Sequence, residues 1–267
     1  MVMKRYTEQE MQQCELHQLP DGQVAVFSQK CPGLDRPNQD AAAILTTAQG
    51  ETVLIVADGM GGGKAGGKAA AIAVDTISQH VENHTEENNL RTSILNGIEA
   101  ANQEIVDLGI GAGATLAVVE ISHKHLRSYH IGDAVVLAMG QRGKIKLQTV
   151  CHSPVGYAVE SGMLEEKDAL HHEERHLVSN ALGSTDMRID IQAPLELSSR
   201  DTVLLSSDGL FDNLSTQEIV ELSRKGKLNQ AAGALVTLCR KRMNANDDGD
   251  HPSKPDDLTF IAFRPTQ

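Results

Sequence analysis

Six aspartates stand where apolar runs of this sequence begin or end. Asp40 closes GLDRPNQD, Asp58 closes VLIVAD and Asp133 closes YHIGD. Asp208 closes VLLSSD with Asp212 four residues later, and Asp256 opens DDLTFIAF. Asp58 and Asp208 are each followed by glycine, Gly59 and Gly209, a residue that lets backbone come close to a ligand. Taken singly, such an acid is a turn or helix-cap residue. Brought together, several carboxylates repel one another unless divalent cations neutralise them. A purely oxygen donor set suits magnesium or manganese rather than zinc.

Three other motifs compete for the chemistry. Gly61-Gly62-Gly63-Lys64-Ala65-Gly66 fits the dinucleotide pattern GxGxxG between a strand and a helix. That fingerprint requires a parallel βαβ unit, whereas a second helical pattern follows here. The overlapping GGKAGGKA resembles a phosphate loop, but Ala69 stands where a hydroxyl must hold magnesium. His172-Glu173-Glu174-Arg175-His176 matches HExxH, with Glu196 further on as the third ligand of a zinc metalloprotease. It needs a continuous buried helix, and a segment this rich in His and Glu matches easily by chance.

The elements that must carry the acids can be read from periodicity. Val24–Phe27 is a strand, and AAAILTTAQGETVLIVAD forms two strands around a turn at Gln49–Gly50. AGGKAAAIAVDTISQHV is helical. Leu90, Ile94, Ile98, Ala101, Ile105 and Leu108 form one face of a second helix, packed antiparallel beside the first. ATLAVVEI, LRSYHIGD, AVVLAMG, KIKLQTV and DTVLLSSDG are strands, and residues 151–195 are irregular and partly helical. STQEIVELSRK and LNQAAGALVTLCRKRM are helices, NANDDGDHPSKPDD is a polar loop, and LTFIAFR is a closing strand. Many short strands with two helix pairs predict one α+β domain with sheet at its centre.

Composition narrows the function. A formal net charge of −12 over 267 residues argues against nucleic acid and against an anionic membrane surface. The 4 cysteines, Cys14, Cys31, Cys151 and Cys239, form no CxxC pair and predict separate thiols in a reducing compartment. Neither a signal-peptide stretch nor a membrane-length apolar run is present, so a cytoplasmic protein is expected.

RPNQD, VADGMGG, GATLAVVE, HIGDA, SSDGLFD and DDLTF occur in an order and spacing similar to those of the metal-dependent serine/threonine phosphatases, the type-2C (PPM) family. The resemblance covers about residues 22–265 of a single domain, 1–267, with a flap-like segment at about 151–195. Bacterial members look nearest, because they carry DGMGG and a segment like HSPVGYAVESGMLEE…HHEERHLVSNALGS. The family implies a four-layer αββα sandwich with two mostly antiparallel central sheets flanked by helix pairs. It implies hydrolysis of phosphoserine and phosphothreonine by in-line attack of a water bridging two manganese or magnesium ions, without a phosphoenzyme. Asp58 would bridge both ions, with the Gly59 carbonyl on the second. Asp208 and Asp256 would hold the first, and Asp40 would act through water. Asp133, Asp208 and Asp212 would form a third, weaker site. Substrates would be phosphorylated proteins made by a partner kinase, and a monomer is expected. The alternative within the same fold is a phosphoprotein-binding module with weak or absent catalysis; Asp40, Asp58, Asp208 and Asp256 standing together argue against it.

Several positions depart from the family pattern. Gln39 replaces a glutamate and can still accept a bond from water. The phosphate-binding arginine falls at Arg36, four residues before Asp40 instead of five, because Asp35 holds the usual place. Met60 replaces the histidine that animal members offer as a proton donor. Asp257 replaces an asparagine, which would either strengthen metal binding or face solvent, and Cys151 replaces the Asp of a DHS motif.

Overall fold

The computed structural model describes residues 3–61, 64–85, 89–245 and 253–266. Gly62 and Gly63 of the glycine stretch, residues 86–88 of the acidic joint and residues 246–252 of the polar loop lie outside them. One sheet contains β1 (Met3–Thr7), β4 (Asp40–Thr46), β5 (Thr52–Met60), β6 (Gly113–Ser122), β7 (His125–Ile131) and β10 (Asp190–Ile191) in that order, with β11 (Leu195–Glu196) also on β7. The other runs β2 (Glu15–Gln18), β3 (Gly22–Gln29), β13 (Leu258–Pro265), β12 (Thr202–Ser206), β8 (Val135–Met139) and β9 (Ile145–Gln148). Each strand pairing is antiparallel. The expected α+β sandwich is therefore the observed one.

Helices α1 (Ala65–Glu82) and α2 (Leu90–Asp107) cover the first sheet, and α6 (Thr216–Ser223) and α7 (Leu228–Met243) cover the second. Short α3 (Pro154–Glu160) and α4 (Glu166–Ala169) lie in the flap-like segment, and α5 (Asp208–Phe211) follows β12. Two-sided burial explains why β4 and β5 read as unbroken apolar runs instead of alternating ones. In β4, Ala42 and Ile44 face the opposite sheet, while Ala41, Ala43 and Leu45 face the helices. In β5, Leu54 and Val56 face the sheet, and Val53, Ile55 and Ala57 the helices. The predicted α2 face is buried from Leu90 through Ile105, with Leu108 half-buried at the C-cap. Ser215 and Glu218 form a capping box on α6, an arrangement that typically contributes about 1 kcal/mol. Arg242 of α7 grips the same glutamate and ties the two helices together.

This architecture removes the competing motifs. No parallel βαβ unit follows the glycines, because α2 intervenes and β6 pairs antiparallel with β5. His172–His176 lies in turns beyond α4, with the Glu174 amide donating to His172 Nδ1. Glu196 sits on β11, so the helix that a zinc protease needs is absent from this segment. All 4 cysteines are free thiols. No helix among the described residues is long and apolar enough to cross a membrane.

Candidate active site

The sandwich brings the six acids to one end. β4 and β5 pair with Asp40 directly opposite Asp58. By strand alternation both project into the gap between the sheets, on the side of Ala42 and Val56. Asp133 occupies the turn where the chain leaves β7 of one sheet for β8 of the other. Asp208 opens α5 just beyond β12, and Asp256 precedes β13, its neighbour in the same sheet. Asp212 is the C-cap of α5.

Glycines make this convergence sterically possible. A Cβ on Gly59 would sit 2.2 Å from the Gly66 carbonyl oxygen, and one on Gly66 would sit 2.5 Å from the Gly59 oxygen. The strand end and the first turn of α1 thus touch through bare backbone. The α1 N-cap is Lys64, so Asp58 is a strand residue and not the cap. At Gly209 a Cβ would lie 2.0 Å from the Asp257 carbonyl oxygen, which interlocks the start of α5 with the segment leading into β13.

The electrostatics are those of crowded acids. Asp40 is buried, and Ser207 Oγ donates to its Oδ2 at 2.8 Å, while Oδ1 has no hydrogen-bond partner. Asp58 is half-buried. Burial, then Asp40, Asp208, Asp133 and Asp256, push its pKa well above the usual carboxylate range. Burial pushes Asp133 up to about 8, helped by Asp208 and Asp212 and opposed by Lys254. Asp212 rises to about 6, again through burial first and Asp208 second. One ammonium sits among them: Lys254 Nζ lies 2.7 Å from Asp208 and 3.4 Å from Asp256, and it also pairs with Asp212. Burial alone would lower the Lys254 pKa, but Asp208 and Asp212 outweigh it and raise it.

Divalent ions fit this donor set. The orphaned buried Oδ1 of Asp40 calls for a cation or a polar partner, and the mutually opposed acids are all oxygen donors. A cleft of about 320 Å³ opens beside them, lined by Asp133, Asp208 and Asp212 on one side and by Val155 and Leu170 of the flap-like segment on the other. Cys151 lines it too, its thiol 3.7 Å from the Asp133 carbonyl oxygen.

Arg36 stands at the rim. Its Nη1 donates to Asp257 Oδ2 at 2.6 Å, and its Nη2 lies 3.8 Å from Asp256. Asp257 does not face solvent, and its charge is the strongest that Asp40 feels. It is buried and accepts from the Cys31 amide at 2.6 Å, the Gln39 amide at 2.9 Å and Arg36. It thereby fixes the loop between β3 and β4. A separate group, His130, His152 and Asp190, has ligand-type atoms within 4.8 Å of one another. There His152 Nδ1 accepts the Gly132 amide at 3.1 Å, with Asn180 Nδ2 at 2.8 Å. The His152 proton then sits on Nε2, and burial lowers its pKa, so the neutral ring turns no lone pair toward an ion. Ser207 and Lys254 carried no sequence signal, since a common Ser or Lys acquires its role only from tertiary neighbours, and Asp257 stood out in the sequence but not as a loop anchor.

A sequence model for protein phosphatase 2C matches residues 33–244. The protein phosphatase PhpP of Streptococcus pneumoniae is 32% identical over 69% of this chain and 78% of its own length. Among solved structures, the serine/threonine phosphatase of S. agalactiae superposes with a TM-score of 0.78 at 24% identity, covering 91% of this chain and 99% of that one. The catalytic domain of the serine/threonine phosphatase PstP, solved with 2 manganese ions, superposes with a TM-score of 0.70 at 23% identity, covering 91% and 98%.

Proposed function

Because the chain belongs to the protein phosphatase 2C family and is a metal-dependent serine/threonine protein phosphatase, we propose that its six clustered aspartates hold the ions that hydrolyse phosphoserine and phosphothreonine. The observation that carries this assignment is the crowding of Asp40, Asp58, Asp133, Asp208, Asp212 and Asp256 at one end of the sandwich, beside a cleft that Asp133, Asp208 and Asp212 line. Asp58 and the Gly59 carbonyl, with Asp208 and Asp256, would hold a pair of manganese or magnesium ions, and Asp40 would act on them through water. Such a pair supplies a nucleophile from water near neutral pH and neutralises charge on the phosphoryl oxygens. Asp133 and Asp212 beside Asp208 would form a third, weaker position.

The chain's own residues do the rest. Ser207 locks Asp40 in one orientation, and its unpartnered Oδ1 is left to orient water. Asp257 leaves the Nη2 edge of Arg36 at the rim, where it would meet the substrate phosphate. Met60 at the end of β5 has no proton to give, so the leaving serine or threonine oxygen would take one from water ordered by Asp133 and Asp212. The same reading takes the protein as a monomer acting in the cytoplasm on proteins phosphorylated by a partner kinase; unpaired thiols suit a reducing compartment, and a net charge of −12 disfavours self-association. A sedimentation mass of twice the chain would reject the monomer, and recovery of the protein with a membrane or extracellular fraction would reject the cytoplasm.

Manganese-dependent phosphate release from a phosphothreonine peptide tests the assignment. Asp133→Ala refines it: turnover on the peptide should fall about 10- to 1,000-fold, mainly in kcat. The deficit should shrink on p-nitrophenyl phosphate, whose phenolate leaves without a proton. Equal losses on both substrates would remove Asp133 from proton transfer, and an unchanged rate on both would make HIGDA only a turn.

A further inference from the structure

Lys254 is the cation that contacts the acid cluster without having been announced by the sequence, and its backbone is firmly mounted. Its backbone is fixed by Asn213, the residue that follows Asp212: Lys254 N donates to Asn213 Oδ1 at 2.9 Å, and Asn213 Nδ2 donates to the Lys254 carbonyl at 2.8 Å. Asn213 is fully buried and also donates to the Gly209 carbonyl at 2.9 Å, so the clamp grips both sides of α5. The lysine is thereby anchored to the short helix that bears Asp208 and Asp212. Its ammonium reaches Asp208 at 2.7 Å, pairs with Asp212 and lies 3.4 Å from Asp256. It also weakens the crowding felt by Asp133. The anchored part is backbone, while the charged head sits on a flexible four-carbon stem.

We propose that Lys254 is a tethered competitor for the third cation position, its ammonium holding Asp208 and Asp212, two of that position's three carboxylates, until a divalent ion displaces it. The proposal rests on the assignment of a metal centre to these acids. A cation on a short tether acts at a fixed, high effective concentration that dilution cannot lower. An incoming ion must therefore displace a charge already in contact with its ligands, and the third position is weak for that reason. The ammonium touches two of the three carboxylates of the third position, but only Asp208 and Asp256 of a core set that also has Asp58, Asp40 and the Gly59 carbonyl. The tether weakens the core ions less.

The test is manganese titration of chelator-treated protein, by calorimetry and by the electron-spin signal of free manganese, for wild type, Lys254→Met and the double variant Asp133→Ala/Lys254→Met. In Lys254→Met the weakest manganese site should tighten at least about tenfold, the gain expected from removing one nearby positive charge. The core pair should tighten less. The double variant should lose the weak site altogether. The melting temperature of Lys254→Met should fall in chelator, where its acids lack their counter-charge, and recover in manganese. Unchanged or weaker affinity at the third site in Lys254→Met, with the core pair still filled, would overturn the proposal and leave the metal centre standing. No manganese bound by either protein would overturn both.

Discussion

Asp58→Asn is expected to lower turnover on a phosphothreonine peptide by at least about three orders of magnitude while leaving the protein folded. Asp58 faces Asp40 across the strand pair and feels Asp208, Asp133 and Asp256. Asp58 thus lies within the field of four of the other five acids, as a ligand shared between two ions would. The amide keeps the shape of the side chain but removes its charge. Both core ions would lose one anionic ligand together, and the water they activate would be misplaced. The fold should hold because β5 is secured by its apolar pairs and because the substitution relieves crowding among like charges. Steady-state rates and a melting curve check this. Near-normal turnover would reduce Asp58 to a strand-end residue.

Removal of divalent ions should have an effect of the same order. Activity should vanish in excess chelator, return with manganese, return less fully with magnesium, and stay absent with zinc. The acids of the cleft offer oxygen alone, and hard oxygen donors favour manganese and magnesium. Cys151 is the sulfur donor nearest to them, and burial, then Asp133, Asp212 and Asp208, hold its thiol protonated. Full activity in protein shown by elemental analysis to be free of divalent ions would sink the metal-centre assignment.

The sequence displayed the acids because each lies where an apolar run stops, and strand ends at one edge of a sandwich are neighbours in space. An α+β domain with sheet at its centre was legible for the same reason, since β4, β5, β12 and β13 are long or strongly apolar; the αββα layering came from the family resemblance. β1 and β2 escaped notice because MKRYT and ELHQ are polar edge strands, with too few apolar residues to show a period. Helix α5 is a single turn and has no periodicity to detect. Asp257 read as a residue that would strengthen metal binding or face solvent, and its role as the acceptor for three donors from the loop at 31–39 went unseen. Nothing local in KPDD distinguishes an acid that anchors a loop from one that meets an ion. Lys254 was illegible for a related reason, since its partner Asn213 is 41 residues away.

The pairing of β4 with β5 works as a ruler with a compressed end. Seven residue pairs run from Thr46 opposite Thr52 to Asp40 opposite Asp58, and the five between them are apolar. A slip of one residue would turn every side chain to the other face, so the apolar pairs hold the register firmly. The same register forces two carboxylates to face each other, an arrangement that by itself pushes strands apart. The sheet is therefore expected to be tightest in its middle and loosest at the tip that must place the reacting atoms. Ions would close that tip as a clasp does, making precision at the site a consequence of loading. Amide exchange should report it: without manganese, protection should fall from Ile55 toward Gly59, and with manganese the gradient should flatten. A steep gradient that persists in the loaded protein would mean that the clasp lies elsewhere.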